Sequence, residues 1–309
     1  MGEMRKRGRY SDVITALVLS LVVMLGGAAG FSLIEAPSSE GGKLQVTATF
    51  YPLYFFASQI GGDRANVLQL MSDNAEPHSW EPKPSDLIKV DRSKVFIYNG
   101  AGFEPWAESF IASLAHRSSI QIVDTSVGIV NESNSHLDPH FWLDPISAEK
   151  QVDNILAGFI KADNASAAYY TANANALKAN LTKLDNDFRV GLQNRTKNDF
   201  ITTHEGFDYL AARYGLTPHA AVGISADQLP SPAAMVNLTN LVRSLGLHYV
   251  FSEPIFSDTI VQTIATETGA QVLILDGIHG RIGADAGLSY FQIMYQDLKE
   301  LRIGLEVTS

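Results

Sequence analysis

The 309-residue chain contains no cysteine. Neither a disulfide framework nor a thiolate metal site can form, so any soft-metal chemistry must rest on histidine and carboxylate. Cations are scarce as well. The chain has 23 Lys and Arg against 33 Asp and Glu, a formal net charge of −10 at pH 7. The clustered positive surface that neutralises nucleic-acid phosphates is missing, and nucleic acid is excluded as a partner. The acidic balance by itself argues only weakly for cation binding, because most acidic proteins use charge for solubility. The HExxH pattern of zinc hydrolases is also lacking: His204 and Glu205 are followed by Gly206, Phe207 and Asp208, with no second histidine.

The N-terminus is the most legible piece of organisation. Arg5, Lys6, Arg7 and Arg9 precede an uncharged run at 13–34, about the length that crosses a bilayer. Basic residues stay on the cytoplasmic side, so the remainder is expected to face outward. The length of the run favours an uncleaved anchor over a cleaved signal peptide, with Ala28 and Ala29 as the alternative cleavage point. A lipoprotein would need a cysteine just after this run, and none is there. Residues 36–43, APSSEGGK, read as a flexible spacer. Five Asn-X-Ser/Thr sequons, at Asn131, Asn164, Asn180, Asn194 and Asn237, carry little weight because they arise often by chance.

Beyond the spacer, short apolar runs at 44–49, 95–98, 120–123, 200–203, 249–252 and 272–275 read as buried strands. Helical patterns lie between them, at 85–90, 106–115, 206–214, 232–245 and 258–268. Alternating strand and helix predicts an α/β fold with parallel, helix-covered sheets. The exception is the stretch 165–193, which has no proline and no glycine before Gly191. One helix of about seven or eight turns is expected there, with Leu177, Leu181, Leu184 and Phe188 on one face. It reads either as an ordinary core helix or as a rigid strut between two strand-helix halves.

Eight histidines are present, and most histidines in proteins are structural or solvated. Context raises three of them. His78 sits in EPHSWEPKPSD, where Pro77, Pro82 and Pro84 leave an ordered loop after a strand. His140 sits in HLDPHFWLDP, pinned between prolines with Trp142 as an apolar wall. His204 follows the apolar run FITT and precedes a helix, which places it at the carboxyl end of a strand, where open α/β sheets hold ligands. Asp276 follows VLIL at the corresponding strand end later in the second half. Three imidazoles and one carboxylate would make a closed tetrahedral zinc shell. Their wide spacing matches no local zinc-finger pattern, so the signal lies in the loops.

EPHSWEPKPSD, DPHFWLDP, THEGFDYLAARYGL and the late LILD resemble the metal-binding family of ABC-importer substrate-binding proteins, which includes zinc and manganese receptors. FYPLYFFASQIGGD, YNGAGFEPW, GISADQLPSPAAM and FSEPIFSD support the resemblance, which spans residue 44 to the C-terminus. It implies two α/β domains bridged by one long helix, with a single metal in the interdomain cleft. The boundaries it suggests are 1–43 for the anchor or signal segment and spacer, 44–164 for the first domain, 165–194 for the linking helix and 195–309 for the second domain. His78, His140, His204 and Asp276 fall on the family's four ligand positions. Histidine at position 204 resembles zinc receptors, whereas a carboxylate there resembles manganese receptors. The resemblance further implies a monomer outside the cytoplasm that delivers Zn2+, with Mn2+ as the alternative, to an ABC permease and its ATPase.

The sequence also departs from that family. A long His-rich loop before DPH is absent, and only His136 stands there. The stretch GIHGRIGADAGLSY differs from common family wording and puts His279 near Asp276 as a substitute ligand. His116, His219 and His248 read as surface or packing residues, and Glu205 as a solvated residue or a support for its neighbour. Two rival functions remain: a zinc hydrolase, which a fourth ligand closing the shell would disfavour, and a surface adhesin sharing the fold. On this reading the protein is not an enzyme, and Asp276 closes the shell.

Overall fold

The computed structural model describes residues 42–129, 138–224 and 230–308. The apolar run at 13–34, most of the spacer, Asn131, His136 and the middle of GISADQLPSPAAM lie outside the described residues. Among the described residues no helix is long and apolar enough to cross a membrane.

In the first half, β1 (Leu44–Ala48), β2 (Ala65–Gln69), β3 (Val95–Tyr98) and β4 (Gln121–Asp124) form one sheet in the order β2-β1-β3-β4. Every ladder in it is parallel, with Val46 opposite both Val67 and Val95. Parallel neighbours need crossovers. These include α1 (Tyr51–Gly61), α2 (Pro84–Asp91) and α3 (Ala107–Ala112). A fourth helix, α4 (Pro145–Ala162), covers the sheet; Pro145 opens it, and the Asp144 carboxylate accepts from the Ile146 N–H at 3.1 Å.

The uninterrupted stretch forms α5 (Ala167–Gly191), 25 residues long, entered through a single 3₁₀ turn at Asn164–Ser166. At 1.5 Å per residue it extends about 37 Å. Tyr170, Ala174, Leu177, Leu181, Leu184 and Phe188 are buried along it. They belong to one apolar cluster that also holds Leu44, Phe56 and Ile155 from the first half and Phe200, Phe251 and Leu301 from the second. Core helix and strut are therefore one thing here: the helix bridges the halves because both bury side chains against it.

The second half carries β5 (Asp199–Thr202), α6 (Asp208–Tyr214), β6 (Thr217–Ala220), α7 (Pro232–Leu245), β7 (Tyr249–Ser252), α8 (Thr259–Thr268), β8 (Gln271–Ile274) and α9 (Tyr290–Gly304). β5 pairs in parallel with β6, and β7 with β8, while β5 runs beside β7. The fold is thus α/β with parallel sheets in two halves. Two strands are not legible as apolar runs. β2 reads ANVLQ and buries only Ala65, and β6 contains Pro218, which an edge strand tolerates. β8 departs from the expected buried strand, because it lies at a sheet edge and leaves Ile274 48% exposed.

Candidate metal centre

The site is assembled from four loops, each beyond the carboxyl end of a strand. The first follows β2 and is tied to β1, with the Leu70 and Met71 N–H groups donating to the carbonyls of Ala48 and Thr49 at 2.9 and 2.8 Å. Further on, the Glu76 carboxylate accepts from the N–H groups of His78 at 3.2 Å and Ser79 at 2.8 Å. Proline on both sides keeps this turn from becoming helix, and Phe103 packs edge-on against the His78 ring at 4.9 Å. The second loop follows β4. Asp138 Oδ1 accepts from the His140 N–H at 2.8 Å and lies 2.6 Å from His140 Nδ1. Asn99 holds the Pro139 carbonyl at 2.9 Å, and the Trp142 ring lies tilted against the His140 ring with centroids 5.1 Å apart.

His204 stands two residues past β5, fully buried. Glu253, directly after β7, accepts the His204 N–H at 3.0 Å and flanks Nδ1 with Oε1 at 2.8 Å and Oε2 at 2.7 Å; the hydrogen bond goes to Oε1. Gly206 makes room for the rings, since a Cβ there would lie 2.4 Å from His204 Nε2 and 3.2 Å from His140 Cδ2. A carboxylate on Nδ1 keeps the proton there and leaves the Nε2 lone pair free, and this holds for both His140 and His204.

The fourth loop differs from expectation. After β8 the chain passes Asp276 and turns inward through Ile278, whose φ of 52° is left-handed backbone in a buried, β-branched residue. Trp142 Nε1–H holds the Gly277 carbonyl at 2.9 Å, and the Ile278 N–H donates to Asp276 Oδ1 at 2.8 Å. This brings His279 to the centre. His140 Nε2 lies 3.1 Å from His78 Nε2, 3.1 Å from His204 Nε2 and 3.2 Å from His279 Nε2. One nitrogen from each of His78, His140, His204 and His279 lies within 4.8 Å of all the others. Two ligands at 2.0–2.1 Å on tetrahedral zinc are about 3.3–3.4 Å apart, so the three short pairs are near the required spacing.

Asp276 is not part of this group. Its N–H donates to Asp297 Oδ1 at 2.8 Å, and its carboxyl is raised well above the usual range by burial, with the hydrogen bond and charge of Asp285 adding. Its Oδ1 faces its own loop, accepting from the Ile278 N–H. The nitrogen that completes the group is that of His279. The remaining described histidines stand elsewhere: His116 pairs with Asp91 at 2.5 Å, His219 with Asp199 at 2.8 Å and His248 with Glu306 at 2.6 Å. Glu205 is half-buried, and its N–H donates to the Gly223 carbonyl at 3.4 Å. Sequence reasoning gave Glu253 and Asp138 no role. The usable signal for Glu253 was its position in FSEP, a carboxylate directly after a strand, the same placement that singled out His204.

Burial pushes His78 down to about 4, with the neighbouring His204 adding. Burial likewise holds His140 and His279 well below the ordinary histidine range, and the surrounding imidazoles add to it. These three rings are neutral at pH 7, the state that coordinates metal. The same shift affects stability. Unfolded His78 takes up a proton near pH 6.5, while the folded ring resists until about 4. Above about 6.5 the ring is neutral in both states and costs nothing. As pH falls through the window from 6.5 to 4, the metal-free fold loses stability, by about 2 kcal/mol between pH 7 and 5 from this ring. A metal-free His78→Gln variant should escape that loss. In urea titrations its stability relative to wild type is expected to improve by about 2 kcal/mol from pH 7 to 5; a pH-independent difference would contradict burial of the neutral ring.

Fold and site together define a cation-binding α/β protein with its donors between two halves. Residues 46–304 match the ZnuA family, described as zinc-uptake complex component A, periplasmic. The high-affinity zinc uptake system protein ZnuA of Bacillus subtilis is 34% identical, over 94% of this chain and 97% of that protein. The zinc-binding lipoprotein AdcA of Streptococcus pneumoniae is 31% identical over 84% of this chain, which spans 56% of that longer protein. Among solved structures, the Zn(II)-bound ZnuA-like domain of Streptococcus pneumoniae AdcA superposes with a TM-score of 0.76 at 30% identity, covering 86% of this chain and all of that one. The laminin-binding protein Lmb of Streptococcus agalactiae gives 0.78 at 27% identity, over 85% of this chain and 99% of that one. The chain belongs to the ZnuA family of zinc-uptake components.

Proposed function

We propose that the protein is the extracytoplasmic receptor of an ABC importer, and that it captures one Zn2+ with His78, His140, His204 and His279 and passes it to a membrane permease driven by an ATPase. The observation that carries this reading is the convergence of Nε2 atoms. His140 and His204 have their Nδ1 protons committed to Asp138 and Glu253, so their Nε2 lone pairs face each other across 3.1 Å in a buried space. Lone pairs so placed repel unless a cation lies between them. Four nitrogen donors suit zinc better than manganese, which prefers oxygen. Four protein donors also leave no open position for a metal-bound water, which argues for binding and release over hydrolysis. The basic and apolar N-terminal segment would keep the receptor at the outer face of the membrane.

The test is titration calorimetry on protein stripped of metal. One zinc per chain is expected, with manganese unable to displace it at equal concentration. Absence of zinc binding, or displacement by equimolar manganese, would remove the basis for the assignment.

A further inference from the structure

The loop that carries His279 also grips the loop that carries His78. Gly280 lies against residue 73 so closely that an added Cβ would fall 1.9 Å from the Asp73 carbonyl oxygen, an obstacle of backbone that no rotamer can clear. Arg281 NH2 donates to Asp73 Oδ2 at 3.2 Å, and the guanidinium carbon sits 4.5 Å over the centre of the Tyr51 ring. Both partners are themselves held. Asp73 Oδ1 accepts from Gln69 Nε2 at 2.8 Å, which anchors it to the end of β2. Tyr51 is buried at the start of α1, with its hydroxyl donating to the Leu288 carbonyl at 3.0 Å. In sequence, Asp73 comes five residues before His78 and Arg281 two residues after His279. One ion pair therefore ties ligand loop to ligand loop, and nothing in the coordination of a metal demands it.

We propose that Arg281, seated on Asp73 and Tyr51, is a positioning residue that latches the His279 loop to the His78 loop and so sets the rate at which bound zinc leaves. The inference rests on the zinc-receptor reading and adds to it a control of release. The latch is built to be modest. Its two charged side chains are 29% and 30% exposed, so water screens the pair. Arg281 Nε is buried without an acceptor, which subtracts from the gain. Between the β8 strand and the latch stands Ile278 in left-handed backbone, a strain that favours departure of the loop once the latch lets go. A firmly held loop would suit a permanent structural metal, whereas a marginally held one suits cargo that must be surrendered.

The experiment is stopped-flow transfer of zinc from the full chain to a chelator, for wild type, Arg281→Gln, Asp73→Asn and the double variant. Arg281→Gln is expected to release zinc about tenfold faster, equivalent to about 1.4 kcal/mol, the combined size of a cation–π contact and a partly exposed ion pair. Asp73→Asn should accelerate release several-fold. The double variant should be no faster than Arg281→Gln alone, because both changes break one contact. X-ray absorption should still find four nitrogen ligands in every variant, a readout that separates a latch from general damage to the site. Release within twofold of wild type in Arg281→Gln, strictly additive effects, or loss of a nitrogen ligand would overturn the latch while leaving zinc capture intact. Failure of the wild type to bind zinc would instead bring down the receptor reading on which the latch depends.

Discussion

Replacing His140 with alanine is expected to weaken zinc binding by at least about 100-fold. This ring is the hub of the site, the one whose Nε2 lies within 3.1–3.2 Å of the other three. Groups that only orient a ligand are worth about 10–100-fold in metal affinity, so a ligand at the hub should cost no less than the upper end of that range. The comparison that decides the donor set is between His279 and Asp276. His279→Ala removes a converging nitrogen and should cost at least about tenfold, whereas Asp276→Asn keeps the shape of a carboxyl that burial pushes well above the usual range and should change affinity by less than about threefold. Glu253→Gln, which leaves the His204 ring without its charged partner, should fall in the 10–100-fold range. Competition with a fluorescent chelator measures all four variants. A large loss in Asp276→Asn together with an unaffected His279→Ala would return the fourth position to the carboxylate.

Stripping the metal is expected to lower the thermal unfolding midpoint by roughly 10 °C. A ligand that binds only the folded state stabilises by about 4 kcal/mol when its free concentration is 1,000 times Kd, and proteins of this size shift by about 2–4 °C per kcal/mol. The donors come from both halves of the chain, so the unfolded chain cannot present them together, and nearly the whole binding energy should appear as stability. Scanning calorimetry with zinc and with excess chelator provides the measurement. Coincident midpoints would mean that the four imidazoles are not bridged by the ion in solution. The His140→Ala variant should show the chelator-treated midpoint under both conditions.

Much of this architecture was legible because it follows local rules. Alternating apolar runs and helical patterns indicated parallel, helix-covered sheets, and the stretch without proline or interior glycine forms α5, 25 residues long. Two edge strands escaped, since β2 and β6 bury too little apolar surface to leave a periodic pattern. His78, His140 and His204 were singled out by rigid loops and strand ends, which are sequence-local properties. Asp276 was singled out by the same strand-end logic, and the imidazole that converges on the other three is that of His279, three residues further on. Strand-end position places a backbone near the cleft without deciding which way the following side chains face.

The sequence by itself determined the donor chemistry available, with no thiolate and eight imidazoles, the α/β class and the four loops that build the site. Only the tertiary structure brings His279 Nε2 to within 3.2 Å of His140 Nε2. That placement goes with left-handed backbone at Ile278 and with Trp142 holding the Gly277 carbonyl, while Asp297 accepts the Asp276 N–H. The same is true of Asp138 and Glu253 on the outer nitrogens and of Arg281 on Asp73. Glu253 and His204 are 49 residues apart, and Asp73 and Arg281 are 208 apart. Hydrogen bonds and ion pairs act over about 3 Å, so which partners meet is settled by packing of distant segments and leaves no periodic mark along the chain.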